Sequence, residues 1–290
     1  MIVAVTGADG FIGTHLCEAL ERGGFSVHRL QRASSLQAPA LDLAAPVADW
    51  QAALDGSDVV VNLAGLAHDV RGQTPEQVDE YLAVNAHGAA RVASAAASIG
   101  AQRFIQISTI KVLGETPRDG IRFREGDPLA PVGVYAVSKA RGEELIRSQL
   151  AGRTDCVVVR LPLVFGTPFK GNLAVLEKAI RRGIPLPLGH SSIGARTYVQ
   201  MGELTDLILK VIRHSEPLPP ILHARSTPDL TAAEVARLVG REIGRQPRIV
   251  SVPSSALKRL AKAAGKPELA SKICDSMLVS DDETRQALGI

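Results

Sequence analysis

Aromatic residues are scarce in this chain: 290 residues carry six Phe, three Tyr and one Trp, and no basic block interleaves with them. The 33 Lys and Arg face 30 Asp and Glu, so the net charge is only +3. That balance gives no support to a nucleic-acid surface, although a few local arginines would suit a small anionic substrate. Cysteines number three, Cys17, Cys156 and Cys274, far apart and without a CxxC pair. A disulfide framework and a thiolate metal cluster are therefore not expected; buried free thiols are. The histidines have no metal-ligand spacing, and no G-x-S-x-G occurs, so metallohydrolase and serine-hydrolase chemistry lack a basis. No apolar run approaches the length of a membrane span. The chain enters an apolar strand at Ile2 without a signal-peptide pattern before it, which makes a reducing cytoplasm the default expectation.

What is present is an alternation. Short β-rich runs (Ile2 to Thr6, Ser26 to Leu30, Asp58 to Leu63, Arg103 to Ser108, Cys156 to Leu161) are separated by helical patterns at Ile12 to Arg22, Gln77 to Ile99 and Tyr135 to Leu150. The third of these, Asp58 to Leu63, is almost continuously apolar, as in a parallel sheet covered on both faces. This order predicts an α/β fold, a Rossmann doubly wound parallel sheet with right-handed crossovers. From Gly166 the texture changes to Gly- and Pro-rich loops around a helix near Leu173 to Arg182. Further helices are expected at Met201 to His214 and from Thr231, where Glu234 completes a capping box, to Ile243, with a short strand at Ile221 to Ala224. The expected division is a dinucleotide domain of residues 1–165 and 196–224, and a smaller mixed α/β C-terminal substrate lobe of residues 166–195 and 225–290.

Two motifs carry chemistry. Gly7, Gly10 and Gly13 follow the first strand and open the first helix. One glycine permits the tight turn, one admits a pyrophosphate to the backbone, and one lets the helix pack closely on the sheet, while the helix N-terminus offers donors and a favourable dipole. The second strand ends in Leu30-Gln31-Arg32, without the carboxylate that would bind the ribose hydroxyls of NAD. Arg32 makes a 2′-phosphate tolerable, so NADP(H) is expected to be accepted at least as well as NAD(H); the alternative is a merely solvated Arg32. The second motif is Tyr135-Ala136-Val137-Ser138-Lys139. Tyr135 and Lys139 share a helix face. A nearby ammonium, and the charge of an oxidised nicotinamide, should favour the phenolate of a tyrosine that is otherwise a poor base near pKa ~10. Ser108 and Thr109, at the carboxyl end of a strand, are the hydroxyls placed to hold a substrate oxygen.

Taken together, these motifs resemble the extended short-chain dehydrogenase/reductases of the nucleotide-sugar epimerase/dehydratase family, over nearly the whole chain. TGADGFIG at 6–13 looks like the family's cofactor turn, which implies contacts from Gly7, Gly10, Phe11, Ile12 and Gly13. Asp42 sits where the adenine-contacting Asp lies, with Leu43 beside it. Asn62-Leu63-Ala64-Gly65 looks like the third-strand motif, which brings Leu63, Ala64 and Gly65 to the cofactor, and Pro162 joins them. Val84-Asn85-Ala86-His87-Gly88 resembles a segment whose Asn, here Asn85, braces the helix and a water relay. Ile107 to Gly114 resembles the catalytic strand end, where Thr109 matches the catalytic hydroxyl and Ser108 its neighbour; Lys139 would also hold the cofactor ribose.

The similarity is greatest to a bacterial polysaccharide-pathway branch of UDP-glucose 4-epimerases, through Ser108-Thr109-Ile110-Lys111-Val112, Pro162-Leu163-Val164-Phe165-Gly166 and Lys170-Gly171-Asn172. By position, Asn172 and Arg196 resemble residues that contact the substrate diphosphate; the Arg196 fork would suit a phosphate, against the alternative of a surface arginine. His68, after the third-strand loop, is a candidate sugar contact, against the alternative of a hydrogen-bonded structural histidine. Ile110 and Lys111 replace the Asp-Glu of sugar dehydratases, which argues against dehydration, and Leu163 replaces a sugar-contacting Asn. The resemblance implies a UDP-sugar substrate and a homodimer. A UDP-sugar 4-epimerase leads; an NADPH-dependent 4-ketoreductase is favoured by Gln31-Arg32; a redox-inactive dinucleotide sensor of the same fold is opposed by the intact Thr109, Tyr135 and Lys139.

Overall fold

Alternation along the strands sets the architecture. In β1 (Ile2–Thr6), Val3 and Val5 face one side and Ala4 the other; β3 (Val59–Asn62) and β4 (Arg103–Thr109) repeat the pattern in register. Val3, Val5, Val59, Val61, Ile105 and Ile107 pack with Leu16 and Leu20 of α1 (Phe11–Arg22) and Leu204 and Ile208 of α7 (Met201–Arg213). Ala4, Val60 and Phe104 pack oppositely, on Trp50 of α2 (Val47–Leu54), Val92 and Ala96 of α4 (Ala89–Ser98) and Ile146 of α5 (Val134–Leu150). Side chains that alternate by two give each face its own core, so the sheet is sandwiched between helices.

The protein is represented by a computed structural model that describes residues 1–31, 42–67, 74–115, 117, 121–190, 194–263, 265 and 274–290. Its main sheet has six parallel strands in the order β2-β1-β3-β4-β5-β9, with β2 at Ser26–Leu30, β5 at Asp155–Leu161 and β9 at Ile221–His223. The order reverses at β1, where a doubly wound sheet leaves a crevice at the carboxyl ends of its strands. The Rossmann expectation holds.

The second half adds small sheets, β6 (Leu163–Phe165) parallel to β8 (Tyr198–Gln200) and β7 (Ala195–Arg196) antiparallel to β10 (Leu230–Thr231). With α6 (Gly171–Arg181) and α8 (Ala232–Glu242) they enclose a third core of Phe165, Phe169, Leu173, Tyr198 and Val239 among others. The predicted capping box of α8 is formed: Glu234 N–H donates to Thr231 Oγ1 at 3.3 Å and Thr231 N–H to Glu234 Oε2 at 2.7 Å. Helix α9 (Ser254–Ala263) follows, and α10 (Asp282–Leu288) returns Ala287 and Leu288 to the first core.

One expected helix is corrected. The stretch Gln77 to Ile99 is not continuous but runs as α3 (Pro75–Leu82), a π turn over Ala83–Gly88, and α4. A π turn inserts one residue into an α-helix and re-aims the side chains after it, often at a functional site. The inserted turn carries Asn85. The three cysteines are free, and burial pushes the thiol of Cys17 up to about 11 and that of Cys156 to about 12. Among the described residues no helix is long and apolar enough to cross a membrane.

Candidate active site

The glycine turn has the shape its sequence requires. Gly7 takes φ +66°, and a Cβ there would lie 3.0 Å from the Ala64 nitrogen. A Cβ at Gly13 would lie 2.2 Å from the Gly7 carbonyl oxygen, so only glycine lets α1 start this close to β1. Gly10 occupies the N-cap of α1 with no side-chain cap, leaving the first-turn N–H groups for an external acceptor. This cradle fits a dinucleotide pyrophosphate. The facing loop is fixed from below: the Thr6 hydroxyl donates to Asn62 Oδ1 and accepts from Ala64 N–H at 3.2 Å.

The other proposed cofactor positions surround this turn or lie at the same end of the sheet. Phe11 sits edge-on to His15, and the Cβ of a residue at Gly166 would stand 3.4 Å from its ring. Ile12 and Leu63 pack on the first core, and Pro162 is buried between β5 and β6. Asp42 is exposed and accepts from Ala44 N–H at 2.9 Å, while the Leu43 carbonyl accepts from Arg91 at 3.1 Å. Arg32 and His68 lie outside the described residues.

Strand β4 delivers Thr109 to the opening of α5. The Thr109 hydroxyl lies near enough to the Tyr135 phenol to lower its pKa, and it accepts from Lys111 N–H at 3.3 Å, which caps a 3-10 turn over Ile110–Leu113. Tyr135 also meets Tyr81 edge-on at 6.5 Å between ring centres. Asn85 ties the helices: its Oδ1 accepts from Leu66 N–H at 2.8 Å, and its Nδ2 donates to the Leu66 carbonyl at 3.0 Å and to Ser138 Oγ at 2.9 Å. Ser138 in turn donates to the Tyr135 carbonyl at 2.9 Å. Gly142 lets α5 approach this turn, because a Cβ there would stand 2.4 Å from the Asn85 carbonyl oxygen.

Lys139 is buried, with its ammonium donating to the Ile107 carbonyl at 3.3 Å; a Cβ at Gly65 would stand 3.0 Å from that nitrogen. Burial pushes Lys139 down to about 8, and Glu143 opposes the shift. Burial raises the Tyr135 phenol above its ordinary value although the residue keeps some exposure, and the group that lowers it is the Thr109 hydroxyl.

Ser108 is engaged within the protein. Alternation turns it to the α5 side of β4, where it is buried and donates to Glu143 Oε1 at 2.5 Å. Glu143 is also paired with Arg160 of β5 at 2.8 Å, both buried. Sequence reading did not single out Glu143 or its pairing; the available signal was a carboxylate one turn beyond Lys139 on the same helix face.

The two proposed diphosphate contacts differ. Arg196 on β7 is partly buried, and its Nε is buried without a partner; burial lowers its pKa, with Glu115 and Asp275 the charges that offset it. A buried guanidinium nitrogen lacking an acceptor suits an anionic ligand. Asn172 is exposed on the first turn of α6, and among the described residues no hydrogen bond ties it to the group. No cluster of His, Cys, Asp and Glu suited to a metal occurs among the described residues.

A glycine cradle at the reversal point of a parallel sheet, beside a threonine–tyrosine pair with a buried lysine, defines a dinucleotide-dependent oxidoreductase site. The family model for the NAD dependent epimerase/dehydratase family matches residues 3–221, and the chain belongs to that family. It is an enzyme of the short-chain dehydrogenase/reductase type, in a family of nucleotide-sugar epimerases and reductases. It is 29% identical over 294 residues to a UDP-glucose 4-epimerase of Vibrio cholerae, covering 99% of this chain and 89% of the relative. It is 31% identical to a dTDP-4-dehydrorhamnose reductase of Mycobacterium tuberculosis, covering 88% and 79%. Among solved structures, UDP-glucuronic acid 4-epimerase from Bacillus cereus, in complex with UDP-glucuronic acid and NAD, superposes with a TM-score of 0.78 at 20% identity, over 100% of this chain and 93% of that one.

Proposed function

We propose that the protein is a UDP-sugar 4-epimerase. Residues 1–165 and 196–224 hold the dinucleotide and residues 166–195 and 225–290 the nucleotide sugar. The single observation that supports this reading most is the Thr109 hydroxyl acting on the Tyr135 phenol beside a buried Lys139, at the sheet end where the glycine cradle opens. The bound nicotinamide supplies a hydride acceptor and donor. Tyr135 Oη takes and returns the proton of the sugar's C4 hydroxyl. Thr109 bonds the same oxygen and, through its hydrogen bond, favours the phenolate. Lys139 places a positive charge under the cofactor ribose. Asn85, through Ser138, fixes the turn of α5 that carries Tyr135. Arg196, with Asn172, binds the diphosphate. If the C4 ketone turns over in the site before the proton returns, the product is the C4 epimer.

The test is interconversion of UDP-glucose and UDP-galactose by the purified protein without added cofactor, with NAD released on denaturation. Both are expected. A second reading, a 4-ketoreductase, draws on the reductase relative and on the non-acidic Gln31 end of β2. NADPH consumed only with a 4-keto nucleotide sugar, and no interconversion, would establish it instead. In that case the cofactor would exchange in each cycle.

A further inference from the structure

The pair Glu143–Arg160 is more than a packing contact, because of what stands one helical turn above it. Lys139 and Glu143 are four apart on α5 and share the face turned to the sheet. The groups around the Lys139 ammonium come from every neighbouring element. Tyr135 and Glu143 share its helix, β4 contributes the Ile107 carbonyl and Ser108, and the loop after β3 contributes the Gly65 backbone. The π turn contributes Asn85. Arg160 lies behind Glu143 on β5, with His223 of β9 and Glu125 beyond it. Among these charges Glu143 is the one that acts on Lys139 to keep it protonated.

We propose that Glu143 is a positioning residue that keeps Lys139 an ammonium, its carboxylate held beneath the proton-transfer group by Arg160 and Ser108. The proposal rests on the reading of Tyr135 and Lys139 given above. The anchoring is strong: Arg160 Nη2 donates to Glu143 Oε2 at 2.8 Å, Arg160 Nε reaches both carboxylate oxygens at 3.3 Å, and Ser108 holds Oε1. A carboxylate fixed from the far side by an arginine cannot swing up to form a direct bond that would withdraw Lys139 from the cleft. It acts instead through its field, which is strong in a buried, low-dielectric setting. Burial alone drives a lysine toward the neutral form, and the value of about 8 leaves Lys139 charged at neutral pH by a small margin.

The experiment compares Glu143→Gln, which keeps the shape and removes the charge, with Glu143→Asp, which restores the charge. Two readouts are followed in the cofactor-loaded protein: titration of Lys139 by NMR of 13Cε-labelled lysine, and the alkaline limb of kcat/KM against pH. In Glu143→Gln both midpoints are expected to fall by about 1 pH unit, and in Glu143→Asp to return toward the wild-type position. Should Glu143→Gln not fold, the Glu143→Gln, Arg160→Gln double variant serves, since it strands neither charge. An unmoved Lys139 titration, with turnover lowered equally at every pH, overturns the proposal and leaves a structural ion pair. Full turnover in Tyr135→Phe would overturn the reading of the site instead; the lysine titration reads Glu143 independently of it.

Discussion

The two faces of the main sheet are built by one rule and end differently. On the face toward α1 and α7, β4 and β5 stay apolar nearly to their carboxyl ends: Ile105, Ile107, Val157, Val159 and Leu161 all join the first core. On the face toward α4 and α5, the last rows turn polar. Thr6, Asn62 and Gln106 stand in register, bonded Thr6 to Asn62 and, at 2.7 Å, Asn62 to Gln106; Ser108, Arg160 and His223 form a second row. All six are buried. Buried polar groups are costly unless bonded, so two polar rows at one end mark where the fold gives up apolar burial for chemistry. The lesson lies in the neighbours Ser108 and Thr109. The same functional group serves opposite ends, one locked to Glu143 and one open to Tyr135.

That contrast breaks most severely at the open hydroxyls. Tyr135→Phe removes the proton carrier and should lower kcat by roughly 10²–10⁴-fold, with cofactor affinity nearly unchanged by fluorescence titration. A variant within tenfold of wild type would mean that Tyr135 only packs against Tyr81. Thr109→Val keeps the volume of the side chain and removes the hydroxyl. It should cost on the order of 10²-fold in kcat, while Thr109→Ser recovers most of the loss. Equal losses in the Val and Ser variants would transfer the role from the hydroxyl to strand-end packing.

Both of these sites were legible because each obeys a local rule. Three glycines between a strand and a helix, and a Tyr and Lys four apart on a helix, need no knowledge of what pairs with what. The closed row was not legible. Ser108 meets Glu143 35 residues on, and Glu143 meets Arg160 another 17 on, through a register that exists only once the strands are assembled. Ser108 therefore looked equivalent to Thr109, although alternation places them on opposite sides. The π turn escaped for a related reason: one residue inserted in an alanine-rich helix leaves the apolar period almost intact. Helix spacing fixes which face Lys139 shares with Tyr135, but not that its ammonium also donates to the Ile107 carbonyl. Arg196 is singled out by the position it shares with the family's diphosphate contact, but its unpartnered Nε needs the fold.

The closed row should also announce itself in pH dependence. His223 is fully buried, its Nδ1 bonded to the Ser280 carbonyl at 2.9 Å and its Nε2 without a partner; burial holds it down to about 4. Between 6.5 and 4 the unfolded chain binds the proton and the fold does not. Stability is therefore present above 6.5 and lost as pH falls toward 4. The linkage amounts to about 2 kcal/mol at pH 5 and about 3 kcal/mol in all. Urea midpoints at pH 7 and pH 5 check this against His223→Asn, which can still donate to Ser280 but does not titrate. The difference between the two proteins should shrink by that amount at pH 5, whatever Glu125, raised by its own burial, contributes to both. A parallel pH response in the two would show that His223 titrates in the fold as it does in the unfolded chain.

The smallest effect is the sharpest test of the comparison. Ser108→Ala removes one donor from Glu143 but leaves the Arg160 fork in place. A buried carboxylate short of one hydrogen bond should cost about 1–2 kcal/mol of stability, seen as a lower urea midpoint. Because the Ser108 hydroxyl is engaged with Glu143, kcat should stay within about threefold of wild type, a change below 1 kcal/mol in the barrier. If instead Ser108→Ala loses as much turnover as Thr109→Val with little loss of stability, then the serine reaches the sugar oxygen in the working enzyme. The end of β4 would then present both hydroxyls to one substrate, and the division between an open and a closed row would fail at the residue that defines it.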